Sequence, residues 1–371
     1  MIKKFLTLLV VLVTYQFCIA QISLPPSGDN QKSIVTQYIG SIAHVTVTYH
    51  SVDVTSPQGK SRKGKIWGKL VPWGMMPNNF GTAKEIPWRA GSNENTTIEF
   101  SHDMTVQGQP IKAGKYGFHI IPKENGPWTL IFSNNASSWG SFFYDQKEDA
   151  LRVETTPVES AYHEWLDYEF TERLPASATL ALKWENLSIP MKIELPNEKQ
   201  LYVATLKDEL RSSLGFSWTN VVAAANYCLQ NDIDLEQGLK WADNAIKFGA
   251  TNFTTLSTKA QLLSKLGKTS EADKLMDQAL NHPSATAFQI HAYARSLIAA
   301  GKKDKAFEVF KFNFEKNNKA WPTHFGMARG YSALGQFDKA IEHAKLSLQQ
   351  APDQANKDYV AGLIKKLKKK E

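Results

Sequence analysis

Between Gln21 and about Pro196, apolar side chains fall at every second position along successive short stretches. Val45, Val47 and Tyr49 alternate with Thr46 and Thr48, and Ile98 and Phe100 alternate with Thr97 and Glu99. The same alternation returns at Tyr116, Phe118 and Ile120, at Leu130 and Phe132, and at Leu151 and Val153. It returns again at Leu166, Tyr168 and Phe170 and at Leu180, Leu182 and Trp184. Strands with one buried face leave this signature, because neighbouring side chains point to opposite sides of a sheet. Turn signals separate them at Gln107-Gly108, Ala113-Gly114, Asn125-Gly126-Pro127 and Ser133-Asn134-Asn135. Roughly eight to ten strands at this spacing, with no helical window between them, predict an antiparallel, jelly-roll-like β-sandwich over residues 21–196.

Beyond Pro196 the pattern changes to a helical one. Asn197 is placed to cap a helix from about Glu198 to Leu214, stopped by Gly215, so residues 197–217 are read as a linking helix. Three columns of small residues then recur every 34 positions: Ala260, Ala294 and Ala328; Gly267, Gly301 and Gly335; Ala272, Ala306 and Ala340. This period resembles the tetratricopeptide helix–turn–helix unit, in which small residues let paired helices approach closely. Carried backwards, the register places Gly238, Ala242 and Ala245 in an earlier, degenerate unit, giving four repeats over residues 218–354. Residues 355–371 are expected to form a capping helix with Tyr359, Leu363, Ile364 and Leu367 on its apolar face, and a basic tail. The fold class expected is α+β in two separate domains, the second an all-α solenoid.

Within the β-region, Leu70 to Arg89 is too rich in Pro and Gly for a central strand, and a loop of this length is often functional. Leu70-Val71-Pro72-Trp73-Gly74 is followed by Trp88-Arg89-Ala90-Gly91-Ser92-Asn93-Glu94-Asn95-Thr96-Thr97. With Ala113-Gly114-Lys115-Tyr116, Ile121-Pro122, Trp128 to Phe132, Trp139-Gly140 and Trp184-Glu185-Asn186, these stretches resemble the Domain of Unknown Function 2911 family. The resemblance implies an exported bacterial protein with a β-domain, sometimes followed by tetratricopeptide-like repeats, and implies no agreed activity. Met76 to Lys84 is longer than the usual link between two of these motifs.

The first twenty residues read as a secretory signal: Lys3 and Lys4, an apolar run from Phe5 to Phe17, then the small-residue site Cys18-Ile19-Ala20. Export to the periplasm or beyond is therefore expected, with no transmembrane segment left after cleavage. Only Cys228 then remains, so no intramolecular disulfide is available, and its Ala-rich surroundings suit a small buried hydrophobe. Residues 21–197 carry 16 Lys and Arg against 18 Asp and Glu, while residues 198–371 carry 25 against 18. Five lysines of the second set lie between Lys365 and Lys370 without interleaved aromatics, which suits a solvated helix end better than a nucleic-acid site.

Candidate chemistry is sparse. There is no Cys-x-x-Cys, His-Glu-x-x-His, Gly-rich phosphate loop or Gly-x-Ser-x-Gly elbow. No cofactor is expected. His44, His50, His102 and His119 are better read as ordinary strand histidines than as metal ligands. Glu94 and Glu99 as a hydrolytic carboxylate pair are disfavoured, because Glu99 falls on the outer strand face. The best polar cluster is Arg89, Asn93, Glu94 and Thr96 beside Trp88, able to clamp a sugar or a peptide carboxylate. Its structural alternative has Arg89 and Glu94 pairing with each other. In the repeats, Gln261, Arg295 and Arg329 share one register position, and Ser257, His291 and Phe325 another, on helices that line the concave groove of tetratricopeptide arrays. The lysine and asparagine of the chaperone-binding carboxylate clamp are replaced by Ala223 and Tyr227. The expectation is a non-enzymatic binding or scaffold protein that recognises a peptide or protein in this groove. The runner-up is a cell-envelope enzyme or glycan-binding protein with its site near Trp88 to Thr96.

Overall fold

A computed structural model describes residues 30–369, so the expected signal peptide, Cys18 included, and the last residues of the basic tail lie outside the described residues. The described residues divide into two compact units, one up to residue 198 and the other from residue 199.

The first unit is a sandwich of antiparallel sheets. Its strands are β1 (Lys32–Ile39), β2 (Ala43–His50), β3 (Met76–Pro77), β4 (Glu85–Ile86), β5 (Thr97–Phe100) and β6 (Met104–Val106). They continue with β7 (Gln109–Ile111), β8 (Gly114–Ile121), β9 (Trp128–Ser133), β10 (Asp149–Thr155), β11 (Val158–Leu174) and β12 (Ser177–Glu194). One sheet runs β1-β2-β5-β8-β9-β10 and a second β11-β12-β6-β7, with β3 and β4 forming a small hairpin of their own. The alternation read from the sequence is the burial pattern: Val45, Val47, Phe118, Ile120, Leu130 and Phe132 are buried from one sheet, Leu166, Tyr168, Leu180, Leu182 and Trp184 from the other. The two inner faces meet through rings, with Tyr168 at 4.7 Å from Tyr49 and 6.4 Å from Phe118. The long Met76–Lys84 stretch is the β3–β4 hairpin, and its tip carries Phe80 against Phe142 at 5.5 Å.

The second unit is all helical. Helix α1 (Glu198–Glu209) precedes four hairpins: α2 (Trp218–Asn231) with α3 (Leu235–Lys247), α4 (Phe253–Lys265) with α5 (Thr269–Asn281), α6 (Ala287–Ala299) with α7 (Lys303–Lys316), and α8 (Trp321–Ala333) with α9 (Phe337–Gln350). Helix α10 (Gln354–Leu367) follows. The alanine columns are buried where helices cross, as small residues at close approaches should be. The glycine column has a different cause from the one expected. Gly267, Gly301 and Gly335 have φ of +79°, +75° and +76°, with nothing within 4 Å of where a Cβ would stand. They end the first helix of the last three hairpins in the left-handed conformation, which costs a residue with a Cβ more than glycine.

Two boundaries also differ from expectation. Helix α1 stops at Glu209, because the Ser212 hydroxyl accepts from Leu214 N and starts a separate 3₁₀ turn. Asn197 stands at φ +58° rather than in the extended conformation of a capping residue. Far from being a bare connection, α1 buries Val203 in the core made by α2 and α3. In α10 the buried residues are Val360 and Leu367, while Tyr359 is 56% exposed. No helix among the described residues is long and apolar enough to cross a membrane.

Candidate functional site

The Trp88–Thr96 loop closes on itself. Trp88 is buried and lies parallel to Trp184 at 6.2 Å and edge-on to Trp67 at 5.6 Å. Thr96 is fully buried, its hydroxyl donating to the Ala90 carbonyl at 3.3 Å. Arg89 donates from Nη1 to the Asn93 carbonyl at 2.7 Å and lies 4.9 Å over the Phe142 ring, and burial pushes its pKa down. Asn93, whose carbonyl accepts the Arg89 bond, stands at φ +55°. Glu94 does not meet Arg89; it faces His50 Nε2 at 2.9 Å. The five side chains are thus adjacent, but three of them hold the loop rather than present it. Gly140 completes the arrangement, since a Cβ there would stand 2.5 Å from the Arg89 guanidinium carbon. Gly140→Ala is expected to cost about 1–3 kcal/mol by overpacking. A chemical-denaturation midpoint equal to that of the native chain would contradict this.

The four strand histidines go to separate contacts. His50 meets Glu94, His102 bonds the Ser101 hydroxyl at 2.9 Å, and His44 lies against Tyr38. His119 is buried, pushed down to about 3 by loss of solvent and then by Arg89, and its Nδ1 pairs with the Ser141 hydroxyl at 2.9 Å. Among the described residues there is no cluster of three or more metal-ligating side chains.

In the helical unit, three of the five groove residues converge. His291 and Arg295 from α6 and Phe325 from α8 line one recess of about 190 Å3 with Phe288, Trp321 and Tyr359. The His291 ring lies parallel to Phe325 at 5.8 Å, Phe325 touches Tyr359 at 5.3 Å, and Phe288 meets Trp321 edge-on at 6.0 Å. Arg329 does not line the recess but packs against two residues that do. Its guanidinium stacks 4.7 Å over Phe325 and donates from Nη2 to the Tyr359 hydroxyl at 2.8 Å, leaving Nε buried without a partner. Arg295 is exposed. Burial first, then Arg329 and Arg295, push the His291 pKa down to about 4, so this ring is neutral near pH 7 and adds no charge. No carboxylate lines the recess. Gln261 stands apart, bonded to the Ser257 carbonyl at 3.2 Å and lining another cavity with Lys265 and Tyr293.

Phe288, Trp321 and Tyr359 were not among the groove residues read from the sequence, which placed Tyr359 only on the apolar face of the capping helix. Tyr359 had a signal, however: it stands 34 residues after Phe325, in the column of His291. Helix α10 therefore takes the place of a further first helix, and its contribution to the groove follows from the register.

Residues 30–193 match the family model described as Protein of unknown function (DUF2911). The DUF2911 match spans the sandwich, from the residues before β1 almost to the end of β12. No curated protein matches the chain. Solved structures similar to the helical region include "YrrB: a TPR protein with an unusual peptide-binding site", at 16% identity over 45% of this chain and 84% of that one, TM-score 0.28. MamA is 11% identical over 41% of this chain and 88% of that one, TM-score 0.30. PilF of Pseudomonas aeruginosa is 15% identical over 43% of this chain and 71% of that one, TM-score 0.31.

Proposed function

We propose that the helical unit holds a carboxylate-bearing peptide segment of a partner protein in the α6–α8–α10 recess. The observation that carries this reading is a lining that combines the exposed Arg295 guanidinium with a wall of aromatic rings and no acid, with Arg329 packed against two of those rings. Arginine offers a planar fork of donors that matches a carboxylate in two parallel hydrogen bonds. Aromatic walls take up an apolar side chain and exclude water from the ion pair, which strengthens it. The two arginines divide the work. Arg329 is fixed by Phe325 and Tyr359 and adds positive potential from beside the rings, whereas Arg295 is free to close on the ligand. Repeats of this kind typically mediate protein binding, and a single rigid recess is how such a surface gains a preferred anchor.

The basic start and apolar run of residues 1–20 support export, so the partner is sought in the cell envelope. Proximity labelling with the full chain, repeated with Arg295→Ala, tests the reading. Neighbours enriched by the native chain and lost with Arg295→Ala are expected; an identical set from both proteins would count against the recess.

A further inference from the structure

We infer that the β-domain carries a second binding site, a polar hole under an aromatic ledge that takes one hydroxyl of an uncharged sugar ring.

The hole lies between the 91–96 loop, the middle of β8 and the 133–148 segment, lined by Asn95, His119, Ser133, Asn135, Tyr144 and Glu148. Its volume of about 10 Å3 is that of a single water or hydroxyl. Asn95 is 7% exposed. Its Nδ2 donates to the Asn135 carbonyl at 3.0 Å, which fixes the orientation of the amide. Oδ1 is then left buried with no partner. A buried acceptor without a donor is costly and rare in native proteins, so the hole calls for a donor. Glycines shape it. A Cβ at Gly117 would collide with the Asn135 carbonyl and the Asn95 amide, and one at Gly140 with Arg89.

Charge narrows the class of donor. Loss of solvent first, then the nearby Arg89 charge, disfavour a proton on His119, and the same two costs meet a cation entering the hole. Glu148, which accepts from Asn135 Nδ2 at 3.1 Å, and the lone acceptor Asn95 Oδ1 disfavour an anion. A neutral hydroxyl satisfies both conditions. Outside the hole, Phe143 forms part of the rim and is 40% exposed, Phe80 meets it at 6.1 Å and is 65% exposed, and Trp139 beside Gly140 is 54% exposed. Exposed rings grouped at a polar hole mark a surface that is covered by a ligand. A sugar ring has both parts needed, a hydroxyl for the hole and an apolar C–H face for the rings. The sequence offered the Trp88–Thr96 loop as a clamp for a sugar or a peptide carboxylate; of residues 88–96 only Asn95 lines the hole.

The test titrates the full chain with glucose, galactose, mannose and N-acetylglucosamine, read by tryptophan fluorescence and by saturation-transfer NMR. At least one sugar is expected to bind saturably. Phe143→Ala, at a partly exposed rim position and with the melting temperature recorded, should weaken it about tenfold. Asn95→Ala should abolish it, with the melting temperature recorded because Asn95 also holds the Asn135 loop. The inference is overturned if no sugar saturates at millimolar concentration, if Phe143→Ala binds as the native chain does, or if n-butylammonium occupies the site in preference to every sugar.

Discussion

Replacing Trp184 by alanine is expected to destabilise the β-domain by about 3–5 kcal/mol. Trp184 is among the largest fully buried side chains and belongs to an indole cluster. It contacts Trp67 at 5.8 Å and Trp88 at 6.2 Å, and Trp67 reaches on to Trp128 at 5.1 Å. Alanine removes the ring and leaves a void that three other rings cannot fill without leaving their own contacts. The indole N–H makes no hydrogen bond, so the whole loss is one of packing. Trp184→Phe therefore keeps most of the contacts while removing an orphaned donor worth about 1–3 kcal/mol to unbury, and its loss should be much smaller than that of Trp184→Ala. Equilibrium denaturation of both variants measures the difference. Equal losses would contradict the packing account.

Phe310→Ala is expected to cost the helical unit a similar amount, about 3–5 kcal/mol, and to damage the recess as well. Phe310 lies on α7, is fully buried and supports the edge of His291 at 5.2 Å. Helix α8 makes room for it with two glycines: a Cβ on Gly326 would stand 2.8 Å from the Phe310 ring and one on Gly330 3.2 Å. Without the ring, His291 loses its backing and its parallel contact with Phe325 loosens. Because each repeat is stabilised by its neighbours, the loss should spread to the α8–α9 hairpin and α10. Far-UV circular dichroism during thermal melting is expected to show an earlier helical transition than the native chain; an unchanged transition would contradict this.

The sequence made the architecture legible because two periods dominate it. Alternation fixes which strand residues face the core, and the 34-residue register fixes which alanines lie between helices. What it hid were pairings decided by neighbours from elsewhere in the chain. Glu94 meets His50, 44 positions earlier, instead of Arg89 five positions away. Arg295 and Arg329 are equivalent in register, yet Arg329 is half-buried over Phe325 because Tyr359 from α10 closes over it. The glycine column was legible as a column, but its cause, a left-handed turn instead of close packing, is a backbone property that composition does not reveal.

The most direct test of the central claim is a binding isotherm for the full chain with a random peptide library in two forms. One form keeps its carboxylates; the other has an amidated terminus and Gln or Asn in place of every acid. Peptides selected from the first form are expected to carry an acid beside a large apolar residue, and to bind Arg295→Ala about tenfold or more weakly, the loss of one charge-assisted hydrogen-bonding group. Equal affinity for both forms, or for Arg295→Ala and the native chain, would contradict recognition of a carboxylate in this recess.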